Sequence, residues 1–198
     1  KLRHEFNAVV SQKDLYETYL PAFEQLVASN VESIMCAYNR TNDEPCCGSN
    51  SLLTDILIEQ WNFKGHILTD CGALTDFYSE IGHGTVSNKT EAAALALKSG
   101  VSLNCGNTFE ALTEAMELGL IKESDIDEQL AKLLKTRFKL GLFDPSESNP
   151  YNQISSEVID SKKHRELAYE TAVKSMVLLK NNGVLPLRND LERYYVVG

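Results

Sequence analysis

The sequence predicts an α/β fold, the C-terminal part of a (β/α)8-type barrel followed by a linker and the first strand of another α/β domain. Three observations carry that expectation. Short apolar segments of strand length alternate with longer amphipathic ones, each strand-like segment ends in polar residues, and beyond Gly141 the composition turns to proline, serine and asparagine. Alternating strands and helices with such short strands indicate parallel β/α units.

Taken in order, Ser11 followed by Asp14 heads an apolar-periodic stretch (Leu15, Leu20, Phe23, Leu26, Val27) that reads as a capped helix. After Asn30 the period changes, and residues 31–38 read as a strand running into a polar loop over 39–45. A helix follows over about 51–61. Lys64-Gly65 then turns into a short buried strand, His66-Ile67-Leu68-Thr69, that stops at Asp70. An alanine-rich helix opens at Thr90-Glu91 and ends at Gly100, where residues 101–104 form a third strand. Helices follow over about 108–118 and 124–140, each expected to start on an oxygen-bearing cap and end at a glycine. Three strands are too few for a barrel of eight.

Residues 1–143 therefore form a partial barrel, and residues 144–187 form a linker and a connecting helix over about 162–179, stopped by Asn181-Asn182-Gly183. Residues 188–198 begin a second α/β domain with an apolar strand from Tyr194.

A formal net charge of −9 and scattered basic residues exclude a nucleic-acid surface. Hydrophobic residues at 43% and charged ones at 24% suit a globular protein, and no apolar run approaches the roughly 20 residues of a membrane span. The chain opens at Lys1 rather than methionine, so a leader would lie outside it. Among the five cysteines, Cys36, Cys46, Cys47, Cys71 and Cys105, no Cys-x-x-Cys spacing supports zinc, and the odd number leaves at least one thiol free. Pairing of the rest stays open. His4, His66, His83 and His164 show no metal-ligand spacing either, so neither metal nor cofactor is expected.

Asp70 is the leading candidate for chemistry. It follows the second strand directly, at the end where β/α barrels carry catalytic groups, and Gly72 permits a sharp exit. The competing reading is an Asp that caps a helix near residues 73–78. Tyr38 and Asn39 end the preceding strand and open on the same face, where a tyrosine could orient a carboxylate or simply pack beneath a loop. His83, between Gly82 and Gly84, sits where a substrate contact is conceivable. Cys71 reads as a packing or rim contact, because no base is placed to activate a thiol. His66, early in its strand, reads as structural.

Several segments together resemble glycoside hydrolase family 3. They are residues 31–47, Val-Glu-Ser-Ile-Met-Cys-Ala-Tyr-Asn-Arg-Thr-Asn-Asp-Glu-Pro-Cys-Cys; residues 61–70, Trp-Asn-Phe-Lys-Gly-His-Ile-Leu-Thr-Asp; Leu140-Gly141-Leu142-Phe143-Asp144-Pro145; His164-Arg165-Glu166-Leu167-Ala168; and the runs 177–181 and 185–187. The resemblance implies a retaining exo-β-glycosidase with an oligosaccharide substrate. Asp70 would be the nucleophile, Tyr38 would stand beside it, and Met35 would line the sugar pocket. It also implies that the second domain is an α/β sandwich and that the acid/base, together with a substrate-binding Lys-His pair, comes from the rest of the polypeptide. A periplasmic or extracellular location is favoured on the same basis. Where many glucosidases of the family have Trp after the nucleophile, this chain has Cys71, which is similar to the xylosidase-like branch and favours xylosides over glucosides. Two rivals remain: a non-catalytic carbohydrate-binding relative that lacks the acid/base, and an unrelated barrel lyase or aldolase. The latter would need a Schiff-base lysine or a metal at a strand end, whereas these strands end in Tyr38, Asp70 and Asn104.

Overall fold

The computed structural model describes residues 2–195, which fall into two units, one running to Asp144 and the other starting at Pro145. The first unit opens with α1 (Leu2–Glu5), β1 (Asn7–Ala8), α2 (Gln12–Asp14), a π-helical turn Leu15–Tyr19 and α3 (Pro21–Ala28). It continues through β2 (Ser33–Cys36), β3 (Arg40–Thr41), β4 (Glu44–Pro45) and a π-wound helix, Asn50–Gln60. Then come β5 (His66–Thr69), α4 (Lys89–Lys98), β6 (Val101–Leu103), α5 (Leu112–Glu117) and α6 (Glu123–Lys139).

β2, β5 and β6 lie side by side in sequence order, all parallel. Ser33 faces His66 and Cys36 faces Thr69, while an irregularity between Ile67 and Leu68 shifts the pairing with β6. Alternation along the strands sorts their faces. Ile34, Ile67 and Val101 turn into the core, and α6 packs on β5 and β6 while α4 packs on β6. The alanine-rich composition of α4 has a packing reason. Ala92, Ala93 and Ala96 are fully buried, and only so small a side chain lets the helix sit against the rest of the core. Burying a side chain such as Ile67, 2% exposed, stabilises by about 1.5–3 kcal/mol. On the opposite sheet face Met35 and Leu103 stay exposed.

The bounds of β5 match the expected strand, and Ser11 accepts from the Asp14 backbone N–H as a cap should. In this unit three expectations need correction. The first strand is only Ser33–Cys36, and the polar loop after it contains a hairpin. β3 and β4 pair antiparallel around Asn42 and Asp43, both left-handed (φ 49° and 70°), and β1 pairs parallel with β3. Such a two-residue turn needs positive φ at both positions, which asparagine and aspartate tolerate. The long C-terminal helix of the unit starts not on an oxygen-bearing cap but on Lys122, whose backbone N–H is satisfied from within the first turn by Asp125 Oδ2 at 2.8 Å.

In the second unit, three single 3-10 turns (Ser146–Ser148, Pro150–Gln153, Ser156–Val158) precede α7 (Lys162–Ser175), which is capped by Ser161. The helix ends four residues earlier than the sequence predicts. Tyr194 and Tyr195 are not in a strand, and the rest of the strand expected there, residues 196–198, lies outside the described residues.

Candidate active site

Asp70 stands one residue past β5. Its backbone N–H donates to the Cys36 carbonyl (3.1 Å), so the parallel ladder holds its Cα in line with β2. Its carboxylate Oδ1 accepts from the Cys71 N–H at 2.7 Å. Gly72 then takes φ +81°, a left-handed conformation that turns the chain into the 3-10 turn Ala73–Phe77. That turn has no side-chain cap, so Asp70 is not the helix-capping aspartate that the sequence also allows. Its side chain is half-buried.

The ends of β5 and β6 are tied together beneath it. Thr69, 1% exposed, accepts at Oγ1 from the Cys105 N–H (3.0 Å) and from Asn104 Nδ2 (3.2 Å). Gly72 N–H donates to the Cys105 carbonyl at 2.7 Å, and a disulfide joins Cys71 to Cys105. A second disulfide, Cys36–Cys47, fixes the end of β2, and Cys46 is the free cysteine, its thiol pushed up by burial. Cys71 thus stays exposed beside Asp70, but as half of a cross-link and not as a thiol.

Tyr38 bridges the two strand ends, donating from its hydroxyl to the Cys71 carbonyl at 2.8 Å. Lost hydration first, then the neighbouring Asp70 carboxylate, push its phenol above the ordinary value, so it stands as a neutral donor at the edge of the carboxylate. Met35 lies on the open sheet face, 56% exposed. His83 lies in the glycine-flanked loop after Asp70 but is buried, 9% exposed, its ring stacked near Phe77 (6.0 Å between centroids) and both ring nitrogens closed off from solvent without a hydrogen-bond partner. Burial holds its pKa below the usual histidine value.

Sequence reasoning missed a group that the fold brings together from distant positions. His4 Nδ1 lies 2.7 Å from Asp76 Oδ2, the His4 ring lies 4.5 Å from that of Tyr38, and the Arg3 guanidinium stands 5.2 Å over the same ring. No spacing rule could have paired residues 72 positions apart. His66, as expected, is structural: it is buried, and its Nδ1 lies 3.0 Å from Thr136 Oγ1, at the end of β5 away from Asp70. Ser102 hydrogen-bonds Gln129 of α6. Among the described residues, no cluster of His, Cys, Asp or Glu is placed to hold a metal ion, and no helix is long and apolar enough to cross a membrane.

Parallel strands, one of them running straight into Asp70 with Tyr38 bonded to the next residue's carbonyl, make this unit an α/β one with a carboxylate at a strand end. The chain belongs to glycosyl hydrolase family 3: residues 4–136 match the model of that family's N-terminal domain. It is 43% identical over 191 residues to a probable exo-1,4-β-xylosidase of Aspergillus clavatus, covering 94% of this chain and 24% of that one. Over 201 residues it is 36% identical to a xylan 1,4-β-xylosidase of Xylanibacter ruminicola, covering 99% and 23%. Among solved structures it resembles a family 3 exo-β-xylosidase in complex with a xylobiose aziridine probe (TM-score 0.84, 33% identity, 95% of this chain and 25% of that one). It also resembles a β-glucosidase from Listeria innocua in complex with glucose (TM-score 0.76, 29% identity, 91% and 25%). The chain spans about a quarter of the length of the curated relatives it matches.

Proposed function

We propose that this chain carries the nucleophile of a retaining exo-β-glycosidase that removes single sugars from the non-reducing ends of β-linked oligosaccharides, with xylosides preferred to glucosides. The observation that carries the reading is Asp70 at the carboxyl end of β5, its Oδ1 held by the Cys71 N–H and Tyr38 beside it. In this reading β2, β5 and β6 are neighbouring strands of a (β/α)8 barrel, in which catalytic groups project from this end of the strands. The remainder of the polypeptide supplies the other strands, the following α/β sandwich domain and the second carboxyl group.

The chemistry takes two steps. The Asp70 carboxylate attacks the anomeric carbon as the bond to the leaving oxygen breaks, and the second carboxyl gives that oxygen its proton. Water then attacks the glycosyl-enzyme, losing a proton to the same carboxylate, and Asp70 is released with the configuration retained. Such pairs stand about 5–5.5 Å apart. Tyr38 steadies the nucleophile and Met35 lines the sugar site. The Cys71–Cys105 cross-link forms a wall beside Asp70, and xylose, which lacks the exocyclic hydroxymethyl of glucose, fits such a wall more readily. Several relatives are named xylosidases, which supports the same preference. Two disulfides favour an oxidising compartment, periplasmic or extracellular.

Covalent trapping tests this in the intact glycosidase. A 2-deoxy-2-fluoro-β-xyloside should leave its label on the peptide containing Asp70, and a label on any other residue rejects the assignment.

A further inference from the structure

A second layer stands behind Tyr38. Its ring is contacted on one side by the His4 imidazole, 4.5 Å between centroids and tilted 58°, with the Arg3 guanidinium over it. His4 is fixed in turn. Its Nδ1 lies 2.7 Å from Oδ2 of Asp76, a carboxylate that is 8% exposed on the 3-10 turn immediately after the nucleophile loop. Arg3 Nε, which can only donate, approaches His4 Nε2 at 3.4 Å. His4 Nε2 therefore accepts, which puts the imidazole proton at Nδ1, facing Asp76. A buried carboxylate orienting an imidazole by its Nδ1–H is a rigid arrangement, because carboxylate-assisted hydrogen bonds are short and directional. Asp76 is itself anchored through its backbone carbonyl, which accepts from the His83 N–H at 2.6 Å.

We propose that Asp76 and His4 are a positioning pair for the glycosidase reaction, acting through Tyr38 on Asp70. The inference rests on the reading of Asp70 as nucleophile. The path is continuous: Asp76 holds the His4 ring, the His4 ring holds the Tyr38 ring, and the Tyr38 hydroxyl holds the Cys71 carbonyl, whose residue also donates its N–H to Asp70 Oδ1. In this role the pair acts through Tyr38 and not on the sugar itself. Its effect belongs in kcat rather than in KM, because it sets how the nucleophile is presented and not how the sugar is bound.

The test uses the intact glycosidase and a nitrophenyl xyloside. Asp76→Ala and His4→Phe should each lower kcat about tenfold, the scale of one lost positioning hydrogen bond to a charged group, with KM changed far less. Asp76→Asn keeps an acceptor for His4 Nδ1–H and should recover most of the rate. The deciding measurement is the double variant with Tyr38→Phe. A pair that acts through the Tyr38 hydroxyl costs little more once that hydroxyl is gone, whereas a merely structural role multiplies the two losses. If Asp76→Ala fails to fold, as judged by its thermal midpoint, His4→Phe carries the same comparison. Trapping of the parent enzyme with the fluoroxyloside runs alongside. No label on Asp70 overturns the nucleophile reading and the pair's role with it. A labelled Asp70 combined with multiplicative losses, or no rescue by Asp76→Asn, overturns the pair alone.

Discussion

Tyr38 donates a hydrogen bond to the backbone carbonyl of Cys71, 2.8 Å away, and so ties the end of β2 to the residue that follows Asp70. The bond joins positions 33 apart in sequence and closes the gap between two strand ends just where the parallel ladder stops.

Removing only that hydroxyl should therefore loosen Asp70 without unfolding the unit. Tyr38→Phe keeps the ring that packs on the core and loses one hydrogen bond, a net cost of about 0.5–1.5 kcal/mol. If the same amount is lost from the transition state, kcat falls roughly 2- to 13-fold. Steady-state kinetics on a nitrophenyl xyloside, paired with thermal melting, checks both halves. A lowered midpoint with unchanged kcat would place the bond in stability alone.

How much of this was legible depends on whether the cause was local. β5 could be read to the residue because Gly65 and Asp70 bracket four residues that pack on both sides. Asp70 at the strand end follows from the same punctuation. The hairpin around Asn42 and Asp43 carries no glycine, so its left-handed turn looked like loop composition. The Lys122 start of α6 was hidden because the backbone donor is satisfied by Asp125 from inside the helix and not by the residue at the cap. The disulfides and the His4–Asp76 contact depend on which strand ends meet in space. Cys105 meets Cys71 only because β6 lies beside β5, and no spacing along the chain encodes that. His83 illustrates the converse: its glycine-flanked position suggests an exposed loop, yet the ring turns inward towards Phe77.

Acid should weaken the fold through two buried imidazoles. Burial holds both His66 and His83 below the ordinary histidine value; Glu32 opposes this at His66, while Asp76 opposes and Arg40 reinforces it at His83. A depressed histidine pKa means that the unfolded chain binds more protons once the pH drops below about 6.5. Their contribution is thus complete above that value and is lost as the pH falls through the lowered folded values. The Glu32 carboxylate, held down by Lys139 and Thr136, loses its share only further into the acid range. Thermal midpoints should fall between pH 7 and pH 5, and His83→Gln should flatten that slope. A midpoint independent of pH in this window contradicts the assignment.

Gly65 is required for the approach of two backbones. A Cβ there would meet the Glu32 carbonyl oxygen at 2.1 Å and the Phe63 ring at 2.6 Å, while that same carbonyl accepts from the His66 N–H that opens β5. Gly65→Ala must push the start of β5 away from the chain leading into β2. Overlap of this kind typically costs 1–3 kcal/mol. Denaturant unfolding should show that loss, whereas the neighbouring exposed Lys64→Ala should stay within about 0.5 kcal/mol.

The Cys71–Cys105 cross-link should matter for both stability and sugar preference, and a double substitution separates the two. It closes a loop of 34 positions, and such a disulfide contributes typically about 2–4 kcal/mol by restricting the unfolded chain. Replacing only Cys71 with a larger residue would be a poor probe of pocket size, because it breaks the cross-link and frees the Cys105 thiol in the same step. Cys71→Ala with Cys105→Ala removes the wall and the thiols together, leaving the Gly72 N–H to Cys105 carbonyl bond and the Thr69 bonds to tie the strand ends. A lowered thermal midpoint is expected from the lost restraint. If the cross-link also shapes the sugar site, glucoside turnover should suffer less than xyloside turnover, because the space taken by the two sulfur atoms becomes available to the larger sugar. One extra group in a pocket is worth about 1–3 kcal/mol of discrimination, so the xyloside-to-glucoside ratio of kcat/KM should fall by up to roughly two orders of magnitude. Measuring that ratio below the midpoint of the variant decides the matter. Proportional loss on both sugars would leave the disulfide as a staple for the nucleophile loop and remove it from the basis of xylose preference.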